Sequence, residues 1–94
     1  VFSAEEALSW GLANAIFSSE QLLDKAIETA QKIAENAPIA VRQAKQAIHK
    51  GRQMALMDGL KFEIEAYNRT IPTYDRREGI LAFNERRKPK FKGK

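Results

Sequence analysis

The stretch from Tyr67 to Lys94 constrains the fold of this chain more than any other. Pro72 is expected to stop one helix, because proline lacks a backbone N–H and clashes with the preceding turn. Thr73 follows at once and is suited to cap a new helix, with Asp75 in its first turn. The sequence therefore predicts two helices separated by a sharp corner, followed by a tail from Arg86 to Lys94.

The tail carries six basic residues, no acidic ones and a single aromatic residue, Phe91. Residues 1–36 hold six acidic and two basic side chains (net −4), whereas residues 37–94 hold six acidic and fourteen basic ones (net +8). Cations attract phosphates, and a ring such as Phe83 or Phe91 can stack on a base. The tail is therefore a candidate contact for an anionic ligand, and a mobile basic terminus is an equally good interpretation.

Upstream of this stretch, the spacing of apolar residues predicts three more helices and one short strand. Ser3 to Glu6 has capping-box spacing, and Gly11 is suited to end the first helix. Residues 12–17 alternate in polarity and are predicted to be extended. Ser19 is expected to cap the second helix, and Pro38 to open the third. The predicted fold class is mainly α, with about five helices and one short N-terminal strand.

The fourth helix, predicted from about Ala55 to Thr70, is apolar on two sides. One stripe consists of Met57, Leu60, Ile64, Tyr67 and Ile71. The other consists of Ala55, Gly59, Phe62 and Ala66. Such a helix must be covered on both sides, and this chain has few elements to spare. We therefore expect one face to contact either a further part of the protein or another subunit. The sequence begins with Val1 and not with a methionine, which also predicts that it is part of a longer protein.

Local chemistry offers few candidate catalytic residues. Asp75 and Glu78 lie one helical turn apart, and paired carboxylates can transfer protons, but acids in a first turn more often complement the helix dipole. His49 is the only histidine and there is no cysteine, so neither a zinc site nor thiol chemistry is predicted. The scattered glycines form no phosphate-binding loop. On these residues alone, the chain is not predicted to be a complete enzyme.

Six short motifs follow one another in an order that resembles a known family. They lie within Ser3–Ala7, Gly11–Asn14, Ala37–Lys45, Asp58–Glu63, Asp75–Phe83 and Arg86–Gly93. The pattern resembles the C-terminal part of the enoyl-CoA hydratase/isomerase (crotonase) superfamily over the whole chain. Its ending looks most like the enoyl-CoA hydratase and methylglutaconyl-CoA hydratase branches.

The resemblance implies a role within a larger enzyme of the crotonase α/β fold. Residues 1–17 would be the end of the spiral catalytic domain, and residues 18–94 a helical oligomerisation domain with a basic tail facing coenzyme A. The parent would hydrate 2-enoyl-CoA thioesters in fatty-acid or branched-chain amino-acid catabolism, or shift their double bond. Acyl-CoA would be its substrate, with no cofactor or metal. The family's catalytic glutamates and oxyanion-hole amides match nothing here, so the chain alone is expected to be inactive.

Three residues receive ligand-facing roles through the resemblance. Phe83 and Arg86 match positions that contact the nucleotide of coenzyme A from a neighbouring subunit, with arginine where the family more often has lysine. Tyr67 matches a wall of the acyl pocket. The family implies a trimer or a dimer of trimers, located in the bacterial cytoplasm or the mitochondrial matrix, with no membrane contact.

Two other classes of function compete with this interpretation. A nucleic-acid-binding helical module would explain the basic half of the chain, although no RNA-binding motif is present and nucleic acid is not the expected partner. A generic helical interaction domain would explain the apolar helix faces, and would have no affinity for coenzyme A.

Overall fold

A computed structural model describes every residue from Val1 to Lys94 and contains five helices and no strand. The helices are α1 (Ala4–Ser9), α2 (Ser19–Ala34), α3 (Pro38–Gly51), α4 (Leu56–Asn68) and α5 (Tyr74–Asn84). None of the five has the length and apolar character that crossing a membrane requires. The chain divides into two units, residues 1–32 and residues 33–94, which are described separately below.

In the first unit, α1 begins and ends as the sequence predicts. The N–H of Glu6 donates to the Ser3 hydroxyl at 3.1 Å, and the Ser3 N–H donates to the Glu6 carboxylate at 2.8 Å, which is a complete capping box. Gly11 has a φ of +74°, a conformation that glycine adopts without a steric penalty. The Leu12 N–H then donates back to the Ala7 carbonyl at 2.9 Å, as in a Schellman motif.

The strand predicted over residues 12–17 is wrong. The N–H of Ala13 donates to the Ala7 carbonyl at 3.2 Å, so the start of the segment still belongs to the end of α1. The remainder is irregular, because a strand needs a neighbour to pair with and every regular element of this chain is helical. The cap of α2 is also displaced by one residue, since the Ser18 carbonyl accepts the first helical hydrogen bond, from the Leu22 N–H.

In the second unit, α3 packs against one stripe of α4. Pro38 occupies the first turn of α3, as predicted. Gly59 of α4 approaches the end of α3 so closely that a Cβ atom on it would lie 3.4 Å from the Cα and the carbonyl oxygen of Gly51. Ala66, from the same stripe, is buried. Small residues at the contact therefore set the separation of the two helices.

The other stripe of α4 is exposed within this chain. Its side chains retain between 45% and 65% of their exposure, and they are Met57, Leu60, Ile64, Tyr67 and Ile71. An apolar row of this length is characteristic of a surface that meets another protein surface. The predicted contact with a further part of the protein or another subunit stays a prediction.

The corner between α4 and α5 forms as predicted, although α4 is shorter than its predicted range. The Thr73 hydroxyl accepts a hydrogen bond from the Arg76 N–H at 3.1 Å and caps α5. Pro72 lies in the turn between the helices. α5 ends at Asn84, directly before the bend into the tail, because Arg86 has a φ of +54° and leaves the helical conformation.

Candidate functional site

The tail is held against α5 by two acidic side chains that are buried. Glu78 accepts hydrogen bonds from both terminal nitrogens of Arg87, at 2.6 and 3.1 Å, and from the Lys90 N–H at 2.7 Å. The hydrogen bonds from Arg87, followed by that from Lys90, lower the pKa of Glu78 to about 2. Arg87 also donates to Glu85, and these two carboxylates raise the pKa of its guanidinium.

Asp75 holds the last residues of the tail in the same way. Its carboxylate accepts hydrogen bonds from the Lys92 N–H at 2.6 Å and the Gly93 N–H at 2.7 Å. Its own N–H donates to the Lys94 carbonyl at 3.2 Å. Asp75 is only 2% exposed, and these backbone donors compensate for the burial of its oxygens. The tail is therefore an ordered part of the second unit, and the alternative of a mobile terminus is wrong.

Apolar contacts supplement these hydrogen bonds. The Phe91 ring lies over Gly79, where a Cβ atom would be 3.7 Å from the nearest ring carbon. Gly93, with a φ of +71°, lies beside the Pro38 ring at the start of α3. Phe91 thus packs against α5 and is half-buried, in contrast to the exposed Phe83.

Arg86 lies at the bend where α5 gives way to the tail. Its N–H donates to the Phe83 carbonyl at 3.2 Å, and the Arg87 N–H donates to the Ala82 carbonyl at 3.0 Å. These are the two hydrogen bonds of a Schellman motif, whose positive-φ position is usually glycine. The motif brings Arg86 next to Phe83, so two of the three predicted site residues are neighbours.

Phe83 and Arg86 are both exposed. Phe83 retains 84% of its exposure, the highest value among the large apolar side chains after the N-terminal Val1. Arg86 takes part in no ion pair, unlike Arg87. An exposed ring and an unpaired arginine on the same turn are suited to a ligand that carries both an aromatic base and phosphate groups.

Tyr67 lies apart from this pair, near the end of α4, and is 53% exposed. The Arg76 guanidinium stacks on its ring at 5.2 Å and donates to its hydroxyl at 2.5 Å. Tyr67 and Arg76 border an open groove of about 630 Å³ between α3 and α4. Phe83 borders a second cavity, of about 350 Å³, together with Phe91 and Gly79. Arg76 contributes to both cavities, which are therefore adjacent.

The sequence did not reveal the anchoring residues. In the sequence, Asp75 and Glu78 have the positions of acids that complement the dipole of α5, and Arg87 is one of six basic residues of the tail. The relevant signal was the Asp-x-x-Glu spacing followed within the same stretch by a basic tail rich in backbone donors. Arg76 was missed as well. No three histidine, cysteine, aspartate or glutamate side chains converge to hold a metal ion in the structure.

Comparisons with known proteins identify the family. The family model for enoyl-CoA hydratase/isomerase matches residues 1–94. The chain is 50% identical over 91 residues to YngF of Bacillus subtilis, which is named as an enoyl-CoA hydratase/isomerase. The match covers 97% of this chain and 35% of that protein. It is 40% identical over 97 residues to human mitochondrial methylglutaconyl-CoA hydratase, covering 99% of this chain and 29% of that protein.

Solved structures agree with the sequence comparison. The fold matches the crystal structure of an enoyl-CoA hydratase from Bacillus anthracis with a TM-score of 0.93 and 49% identity, over 99% of this chain and 36% of that one. The chain spans about a third of the length of these relatives. The full-length match to the family model, together with this structural agreement, shows that the chain belongs to the enoyl-CoA hydratase/isomerase family.

Proposed function

We propose that this chain binds the nucleotide of coenzyme A and forms subunit contacts within an enzyme that hydrates 2-enoyl-CoA thioesters. The observation that carries the proposal is the exposed pair of Phe83 and Arg86 on an ordered turn. Phe83 would stack on the adenine, and Arg86 would bind the phosphates. Tyr67, beside the groove between α3 and α4, would line the acyl chain. The relatives named above support hydration of a CoA thioester as the reaction.

No residue of the chain is proposed as catalytic. Both acids that are buried, Asp75 and Glu78, are engaged by the tail, and although Asp75 lines the cavity of about 350 Å³, each of its carboxylate oxygens already accepts a hydrogen bond from a tail N–H. The proposed division of labour is therefore binding and assembly by these residues, with the chemistry performed elsewhere in the enzyme. The expected surroundings are the bacterial cytoplasm or the mitochondrial matrix.

Assembly is supported by the exposed apolar faces of two helices. α2 exposes Leu22, Leu23 and Ile27 by 46% to 68%, and α4 exposes the stripe described above. Homo-oligomers with closed symmetry bury such faces between identical subunits. We propose a trimer or a dimer of trimers, and light scattering on the chain would measure its molar mass. A folded monomer would contradict subunit contacts through these faces.

The proposed ligand is tested by titrating the ¹⁵N-labelled chain with coenzyme A and following amide chemical shifts. The amides of Phe83 and Arg86 should move together, and Arg86→Ala should weaken the response. Pantetheine lacks the nucleotide and should leave both amides unmoved. Coenzyme A that shifts neither amide would contradict the proposal.

No structural observation favours the nucleic-acid alternative. Arg87 is paired with Glu78 and Glu85, and the Lys92 ammonium group lies 4.5 Å from the centre of the Tyr74 ring. The tail thus lacks a continuous row of free cations along which a phosphate backbone could run. A salt titration would separate the two cases, because binding to nucleic acid weakens steeply with salt.

A further inference from the structure

One side chain of α5, Glu78, binds two residues that follow the bend at Arg86. Glu78 binds the guanidinium of Arg87, the residue immediately after the bend, and also the N–H of Lys90, on the far side of Pro89. The segment between these anchors is thereby held close to the second turn of α5. Arg86 lies directly before Arg87 in the chain, so its position depends on where Arg87 is held.

This fastening matters because Arg86 adopts a backbone conformation that its side chain disfavours. A φ of +54° brings the Cβ atom of an L-residue close to the neighbouring backbone, and such conformations persist only where surrounding contacts fix them. The Schellman hydrogen bonds provide one such contact. The bidentate pair of Glu78 with Arg87 provides the other, and it is the one that a single change of charge can remove.

We infer that Glu78 is a positioning residue for the coenzyme A nucleotide, which it never contacts. By fixing Arg87 and Lys90 it holds Arg86 in its positive-φ bend, and so keeps Arg86 on the same turn as Phe83, where its N–H donates to the Phe83 carbonyl. The inference rests on the proposed function, since it presupposes that Phe83 and Arg86 bind this nucleotide. Asp75 does not share the role, because its partners Lys92 and Gly93 lie at the far end of the tail.

The inference predicts a loss of order at Arg86 when Glu78 loses its charge. Glu78→Gln keeps an oxygen that can accept from the Lys90 N–H, but gives up the charged pair with Arg87. ¹⁵N relaxation should show the order parameter of the Arg86 amide falling from about 0.85 towards 0.6. If the bend is then formed about a tenth of the time, the dissociation constant for coenzyme A rises about tenfold. Arg87→Lys, which keeps the charge but loses the two-pronged geometry, should act in the same direction.

A matched control removes the same charge elsewhere. Glu65 is an exposed glutamate on α4, and Glu65→Gln should change neither the order of Arg86 nor the affinity for coenzyme A. Circular dichroism verifies that every variant retains its helices. Should Glu78→Gln not fold, Arg87→Lys provides the same two readouts with the acid in place.

The outcomes separate the inference from the proposed function. If coenzyme A shifts no amide of Phe83 or Arg86 in the wild-type chain, both fail. If the wild type binds, and Arg86→Ala weakens binding, while Glu78→Gln and Arg87→Lys keep the wild-type affinity and an ordered Arg86, only the inference fails. A lower melting temperature with unchanged affinity would likewise make Glu78 a purely structural residue.

Discussion

The Glu78 carboxylate and the Arg87 guanidinium form a bidentate ion pair, at 2.6 and 3.1 Å, that ties the residues beyond α5 to its second turn. Glu78 is 7% exposed, and the side chain of Arg87 is 36% exposed. An acid with so little solvent contact must be matched by donors, and the Lys90 N–H supplies a third. The charge of this carboxylate therefore controls how the first part of the tail, from Arg87 to Lys90, is attached.

Acidification should detach the tail locally. The pKa of Glu78 is lowered from 4.5 to about 2 in the folded chain. A group whose pKa falls on folding stabilises the fold above its unfolded pKa, and the stabilisation is lost as the pH drops through the folded value. The contribution of Glu78 should thus be complete above about pH 4.5 and disappear towards pH 2. Hydrogen exchange of the Lys90 amide, followed against pH, measures this locally.

Glu78→Gln is the control for that experiment. Glu20 and Glu28 also have lowered pKa values, so a global melting curve would mix their titration with that of Glu78. The variant lacks the titrating group at the tail, so the protection of its Lys90 amide should not change between pH 4.5 and 2. A wild-type amide equally protected throughout that range would contradict the prediction.

Arg86→Gly should stabilise the chain and weaken binding of coenzyme A. Glycine relieves the positive φ, which is worth about 1 kcal/mol, or roughly 4 °C or more in melting temperature for a chain of this size. The variant also removes the proposed phosphate-binding cation. Lys88→Gly is the matched control, because Lys88 lies in the same tail without a positive φ and should gain no stability. Thermal unfolding measures the effect, and a lower melting temperature for Arg86→Gly would refute the argument.

Phe83→Ala should separate binding from stability. The ring is 84% exposed, so its removal should change the free energy of unfolding by less than about 0.5 kcal/mol. Loss of stacking on the adenine should weaken binding of coenzyme A by about 1–3 kcal/mol, which titration by NMR would detect. Leu81→Ala, at a 49% exposed position of the same helix, should leave affinity unchanged. Equal affinity of the Phe83→Ala and wild-type chains would exclude the stacking role.

Local signals explain which parts of this fold could be predicted from the sequence. The capping box at Ser3, the glycine at Gly11, Pro38 and the cap at Thr73 depend on neighbours within a few residues, and all four are confirmed. The prediction of a strand over residues 12–17 is wrong because an alternating pattern of polarity does not supply a neighbouring strand to pair with.

The candidate site shows the same division between local and distant contacts. The resemblance predicts Phe83 and Arg86 as site residues, and the structure joins their backbones through a hydrogen bond between residues three apart. The anchoring of the tail was not predictable from periodicity, because Asp75 reaches residues 17 and 18 positions away. In sequence, an acid in a first helical turn looks the same whether it faces solvent or a folded tail.

Gly59→Val should force α3 and α4 apart. The added side chain would meet the backbone of Gly51, beginning with a Cβ atom at 3.4 Å, and backbone atoms cannot move aside as a flexible side chain can. Overpacking of this kind costs about 1–3 kcal/mol, measurable by urea unfolding. Gly79→Ala is the control, because its Cβ would lie at an ordinary 3.7 Å from the Phe91 ring. That variant should gain about 0.5–1 kcal/mol from helix propensity. Equal stability of the two variants would contradict the close approach of α3 and α4.

Asp75→Asn should loosen the end of the tail. The amide group offers one oxygen where the carboxylate offers two, and its NH₂ faces the Lys92 or Gly93 N–H as a second donor. A buried donor left without an acceptor costs about 1–3 kcal/mol, measurable by urea unfolding. Asp58→Asn is the matched control, because Asp58 is exposed and its nearest cation, Lys61, is 4.0 Å away. It should cost less than about 0.5 kcal/mol.

A double-mutant cycle can show that the loss arises in the tail. In a variant that lacks residues 91–94, Asp75 no longer meets the Lys92 and Gly93 donors, and water can reach its oxygens. The Asp75→Asn substitution should then cost almost nothing, so that the two changes together destabilise the chain by much less than the sum of their separate effects. If the two costs simply add, Asp75 stabilises α5 through its position near the helix N-terminus and not through the tail. The cycle therefore decides between the role that the sequence suggested for this acid and the one that the structure indicates.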